Sequence, residues 1–174
     1  MQWLRWRASS LTRPGGRAAL ENTMLNTFTR PSEQMSVSPR MAFTFTAPLF
    51  LIAYGGDEPP TDDEWRAYLE LVRRQCGDEM VQIIATQGAC PTREQRHGLV
   101  DLLGGRPVAT AFLSNRKCEL ALAALLATHS PRFKALRDDQ VPEALAFLEI
   151  PASLTELVAR ELDGLRRKLE RSPS

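Results

Sequence analysis

The sequence predicts an α/β domain: a mainly parallel four-stranded sheet with alternating helices, followed by a C-terminal amphipathic helix. Three observations carry this. Short runs rich in β-branched and aromatic residues alternate with longer segments whose apolar residues recur every three or four positions. Capping boxes mark helix starts at Thr61-Asp62-Asp63-Glu64, Thr92-Arg93-Glu94-Gln95 and Ser153-Leu154-Thr155-Glu156. Strands that alternate with helices imply right-handed crossovers and a sheet covered by helices.

Residues 1–40 stand apart from this rhythm. They hold Arg5, Arg7, Arg13, Arg17, Arg30 and Arg40 against only Glu21 and Glu33, with many Ser and Thr and no apolar periodicity. They read as a disordered basic leader or a mis-assigned start, because Met41 opens directly onto the first strand run. A transit peptide or a basic arm aided by Trp3 and Trp6 is the alternative, whereas the continuous apolar core of a secretory signal is missing.

The domain proper is expected over residues 41–151. Residues 43–54 read as one opening strand. From Thr61 to about Cys76 a helix buries Trp65, Tyr68, Leu69 and Val72, leaves Arg66, Glu70, Arg73 and Arg74 solvated, and stops at Gly77. Residues 80–85 form a buried strand, and Thr92 begins a helix that ends at Gly104-Gly105. Residues 107–113 give the third strand, after which Ser114-Asn115 cap an Ala- and Leu-rich helix broken at Ser130-Pro131. A short strand over residues 133–137 leads through Asp138-Asp139 into a helix of Val141, Ala144, Leu145 and Leu148 that ends near Pro151. Residues 152–174 form the final helix, packed on the domain by Leu154, Leu157, Val158, Leu162, Leu165 and Leu169. The same stripe would serve a possible homodimer, but an exposed stripe of that length invites association, which favours the core.

The 174 residues carry 22 Lys plus Arg against 21 Asp plus Glu, a net charge of +1 that gives no long-range field for nucleic acid or an anionic membrane. Apolar stretches such as residues 47–54 and 120–127 fall short of the roughly 20 residues a spanning helix needs, so no stable membrane insertion is expected. Cys76, Cys90 and Cys118 are too few and scattered for a disulfide framework, which suits a reducing cytoplasm. With only His97 and His129 to join them, they make no metal set, and no cofactor is expected. His97 and His129 read as structural, as do Cys76 and Cys118 within helices.

In such a sheet, ligands and partners meet the loops at the carboxyl ends of the strands. Here these are residues 55–60, 86–92 and 114–116, none with a dinucleotide or P-loop glycine pattern. In the second loop, Cys90-Pro91-Thr92-Arg93-Glu94-Gln95-Arg96 places five residues between a Cys and an Arg, the outline of a cysteine-phosphatase loop. That chemistry needs a thiolate at a helix amino terminus, amides around a phosphate and an Arg gripping its oxygens, with Asp138 or Asp139 as general acid. Against it, no glycine lies between Cys90 and Arg96, and Glu94 brings negative charge toward an anion. Asp57, Glu58, Asp62 and Asp63 form an acidic cluster that reads as favourable charge at a helix start rather than a cation site.

With these elements in order, residues 43–151 resemble a bacterial STAS-like domain, the fold of anti-sigma-factor antagonists, and are more loosely similar to lipid-binding CRAL-TRIO relatives. The resemblance rests on the opening strand, the Pro60-Thr61-Asp62-Asp63-Glu64-Trp65 helix start, the strand leading into Gly88-Ala89-Cys90-Pro91-Thr92-Arg93-Glu94-Gln95-Arg96, and the last strand and helix. It implies a non-enzymatic regulatory module that binds a partner kinase or an anti-sigma-like factor. A Ser or Thr phosphorylated at the start of the helix after a central strand would switch it. The family's Asp-Ser-Ser-Gly motif is absent, and the matching region offers Thr86, Thr92 and Ser114, with Arg93 and Arg96 beside Thr92. The looser likeness implies an apolar ligand between sheet and helices.

Overall fold

The computed structural model describes residues 35–75, 80–105, 108–117 and 132–171. The leader up to residue 34, the Ala- and Leu-rich helix, Cys76, Cys118 and His129 lie outside the described residues. Among the described residues six strands form one sheet in sequential order: β1 (Ser36–Val37), β2 (Met41–Thr46), β3 (Leu49–Tyr54), β4 (Val81–Thr86), β5 (Ala109–Leu113) and β6 (Phe133–Leu136). The helices are α1 (Asp62–Gln75), α2 (Arg93–Leu102), α3 (Val141–Phe147) and α4 (Thr155–Arg171). From β3 to β6 every pairing is parallel, whereas β1, β2 and β3 pair antiparallel.

The α/β class is therefore as expected, but the strand count rises from four to six. The single opening strand is a hairpin, with Thr46 paired to Leu49 across a two-residue turn at Ala47-Pro48. Both arms are buried along their whole length, so the apolar run continues across the reversal and hides it. The leader boundary also moves. Ser36 and Val37 pair with Phe43 and Ala42, and the Ser38 hydroxyl donates to the Met41 carbonyl at 2.7 Å, so the sheet begins before residue 40.

Sequential strand order with right-handed crossovers puts crossover helices on one face of the sheet and leaves the other to elements that follow the last strand. On the first face Met41, Phe43, Phe45, Phe50, Ile52 and Tyr54 pack against Trp65, Tyr68 and Val72 of α1. On the second, Leu49, Leu51, Ile83, Ala111 and Leu113 pack against Ala144 and Leu145 of α3 and Val158, Leu162, Leu165 and Leu169 of α4. The final apolar stripe thus closes the core of this chain. Its helix starts later than the Ser153 box suggests: a 3₁₀ turn (Ala152–Leu154) precedes α4, and the Thr155 hydroxyl donates to the Ala152 carbonyl.

One polar chain crosses the first face. The Tyr68 hydroxyl donates to Gln82 Oε1 at 3.0 Å, and Gln82 Nε2 donates to Thr110 Oγ1 at 2.8 Å. In turn the Thr110 hydroxyl donates to the Val108 carbonyl, so Tyr68, Gln82 and Thr110 each have a partner along this relay. At the start of α1 the Thr61 box forms as read, with the Thr61 amide donating to Glu64 and the Glu64 amide to Thr61 Oγ1. Glu64 also accepts the Arg40 amide, which ties the turn between β1 and β2 to α1. Burial pushes its carboxyl upward, but hydrogen bonds from Ser38, Arg40 and Thr61 outweigh this and hold it below the ordinary carboxylate value.

Candidate functional site

At the carboxyl end of the sheet, the loops after β3, β4 and β5 converge. The Ala89 amide donates to the Gly56 carbonyl at 2.9 Å, joining the first two loops. Within the second, the Gly88 amide donates to Thr86 Oγ1, and the Thr86 hydroxyl donates to the Ala89 carbonyl at 2.6 Å. Arg116, from the third loop, reaches across both neighbours: Nη1 donates to the Gln87 carbonyl at 2.8 Å and pairs with Asp57. Gly88 permits this crossing, since a β-carbon there would overlap both the guanidinium and the Asp57 carboxylate.

Thr86 is 2% exposed and Ser114 is 0% exposed, so neither candidate phosphoacceptor presents its hydroxyl to a kinase in the folded chain. The Ser114 side chain accepts the Arg116 amide. Thr92 is half-buried at the start of α2, where it accepts the Gln95 amide at 3.2 Å, while Gln95 Oε1 accepts the Thr92 amide at 2.9 Å. The box predicted there is thus formed. Gln95 has a larger part than capping: its Nε2 donates to the buried Pro60 carbonyl at 2.8 Å, and its own carbonyl accepts Trp65 Nε1 at 2.9 Å. A single buried amide therefore locks the start of α2 to the start of α1.

The phosphatase-like set is arranged unlike the chemistry it would serve. Thr92 and Gln95 have their amides engaged by the capping box, so they do not point at an open phosphate position. Arg96 turns back to donate to the Pro91 carbonyl, beside a half-buried Cys90. Tyr54, at the end of β3, lies close enough to feel both. Burial raises its phenol well above the ordinary value, the Tyr68 and Cys90 groups add to this, and Arg96 opposes it. Asp139 is exposed and paired with Arg137, whose hydrogen bond holds its carboxyl below the ordinary value, the opposite of what a general acid needs.

Asp138, just after β6, borders the third of these loops. Arg166 of α4 donates to it at 2.6 Å and Asn115 Nδ2 at 3.1 Å. Burial raises its carboxyl, with Arg166 acting in the opposite sense. Beside this pair a groove of about 330 Å³ is lined by Val141, Pro142, Ala159 and Leu162, with Thr155, Asp139 and Asp163 at its polar margin. This groove lies between α3 and α4, on the face of the sheet opposite α1 and α2, and of the predicted site residues it takes in Asp138 and Asp139 and none of those on α2. Three of the four carboxylates of the predicted acidic cluster pair with cations, Asp57 with Arg116, Glu58 with Arg40 and Asp63 with Arg66, and Asp62 faces Gln95 Nε2 at 3.4 Å. Among the described residues, no helix is long and apolar enough to cross a membrane.

On α2, Arg93, Glu94, Arg96 and His97 face solvent. Glu94 is held below the ordinary carboxylate value by its own backbone amide first, then by the Thr92 hydroxyl, with Arg93 and His97 adding to the effect. Val100 is 50% exposed and Leu102 37% exposed on the same helix. The Arg116–Asp57–Gly88 crossing and the tertiary role of Gln95 escape sequence reasoning, because the paired residues lie 59 and 35 positions apart. No family model, curated protein or solved structure matches the chain.

Proposed function

We propose that the chain is a non-enzymatic regulatory module of STAS-like type, working in the cytoplasm, whose partner-facing element is α2 and whose switch is Thr92. The carrying observation is the surface of α2. This helix contributes Gln95 as its buried residue and, on the side turned away from Gln95, leaves Val100 open about one turn on from Arg96 and His97, with Arg93 on the same side. A large apolar side chain open to water on an otherwise charged helix face suits a protein contact of modest size. The partner class that the resemblance implies is a regulatory kinase or an anti-sigma-like factor.

Thr92 supports the switch through its two local contacts. Its hydroxyl accepts the Gln95 amide and lies near enough to the Glu94 carboxylate to help hold it below the ordinary value. A phosphate of about −1.5 to −2 charge would set two anions, the phosphate and Glu94, side by side in the first turn while remaining favoured at the helix amino terminus next to Arg93. The side chain of Glu94 would then leave the first turn and change the charge pattern that a partner meets. In a binding assay with the partner, Thr92→Glu is expected to change affinity about tenfold or more, and Thr92→Ser to leave it unchanged. Equal affinity for both variants would reject the switch. Phosphate-ester turnover that disappears in Cys90→Ser would replace this reading by the enzymatic one.

A further inference from the structure

We propose that Arg116 is a salt-sensitive strap, closed in this structure, that locks the loop after β4 onto the loop after β3 and controls the freedom of the segment leading into Cys90 and Thr92. The strap stands on its own geometry and does not depend on the partner reading. Arg116 leaves the end of β5, crosses the second loop and pairs with Asp57 in the first, while the same Nη1 holds the Gln87 carbonyl. The path runs directly over Gly88, where any β-carbon would overlap both charged groups. Beneath the crossing lies the backbone bond from Ala89 to Gly56, so the strap sits on top of the link that joins the two loops.

Both ends of the strap face solvent, with 48% of the Arg116 side chain and 78% of the Asp57 side chain exposed. An exposed ion pair is weak and is screened by salt, so it can open without disturbing the sheet. The bonds of Thr86 hold the Gly88 amide and the Ala89 carbonyl to β4, whereas the Ala89 amide bonds across to the Gly56 carbonyl under the strap, and that link and the segment after it follow the strap. Opening therefore loosens the approach to α2 while β3, β4 and β5 stay paired.

Hydrogen exchange of the Ala89 amide, whose bond to the Gly56 carbonyl joins the two loops under the strap, followed by NMR on the full chain, tests this. Arg116→Ala is expected to speed its exchange about three- to tenfold, and Asp57→Asn by less because the bond to the Gln87 carbonyl remains. Gly88→Ala keeps both charges but expels the strap and also crowds the Gly56 carbonyl, so it should speed exchange at least as much as Arg116→Ala. Raising NaCl from about 0.05 M to about 0.5 M should accelerate exchange in the wild type and not in Arg116→Ala. The charge swap Asp57→Arg with Arg116→Asp should restore slow exchange. Equal rates in wild type and Arg116→Ala, acceleration spread evenly over β3, β4 and β5, or a salt effect that survives in Arg116→Ala would each overturn the strap.

Discussion

Leu165→Ala is expected to destabilise the protein by about 3 kcal/mol, within the range seen when a buried leucine is truncated and the cavity relaxes only in part. Leu165 is 1% exposed, midway along an α4 stripe that also buries Val158, Leu162 and Leu169 against Leu49, Leu51 and their neighbours. Each such side chain contributes roughly 1.5–3 kcal/mol through removal of apolar surface from water, so α4 is part of the fold and not an appendage. Leu157→Ala, at a partly buried position on the same helix, should cost no more than about 1 kcal/mol. Urea denaturation of both variants checks the contrast. Similar, small effects from the two would mean that α4 does not close the core.

Gln95→Ala is the second large effect, at about 2–4 kcal/mol. The substitution deletes the bond to the Thr92 amide and strips the buried Pro60 carbonyl of its donor, while the Trp65 bond to the backbone carbonyl is kept. Gln95→Glu separates the two roles. A carboxylate still accepts from Thr92, as in any capping box, but it cannot donate to Pro60 and brings its charge against that carbonyl. The expected cost at neutral pH is about 2 kcal/mol or more, since a buried charge is left without a donor partner. Its carboxyl would be raised in the folded state, so protonation favours folding and the deficit should shrink as pH falls through that raised value. A deficit that is independent of pH, measured by denaturation across the acid range, would count against the Pro60 contact.

Much of the fold was legible because its signals are local. The Thr61 and Thr92 boxes, the α1 stripe of Trp65, Tyr68 and Val72 and the α4 stripe each fall within a few turns of helix, where periodicity and capping chemistry act directly. The hairpin was not legible because β2 and β3 are buried from end to end, and a buried run gives no change of pattern at its turn. Nor was β1, a two-residue strand defined only by its partner. At the site, the sequence named Thr92, Cys90 and Arg96 correctly as neighbours of one loop and helix start. It gave no sign that Thr86 and Ser114 face inward, that Arg116 pairs with Asp57, or that Gln95 reaches Pro60. These are tertiary contacts, and no local spacing encodes them.

Site-specific photo-crosslinking in the source cells decides whether the exposed face of α2 meets a partner, as we propose. A photoreactive residue at Val100 should yield a discrete protein adduct, because half of that side chain is open to solvent on the proposed surface. The same residue at Arg160, exposed on α4 on the opposite face of the sheet, should yield none. An adduct from Val100 alone, lost on adding Thr92→Glu, is the predicted result. Adducts from Arg160 alone, or equally from both positions, would contradict the claim, as would the absence of any adduct from Val100.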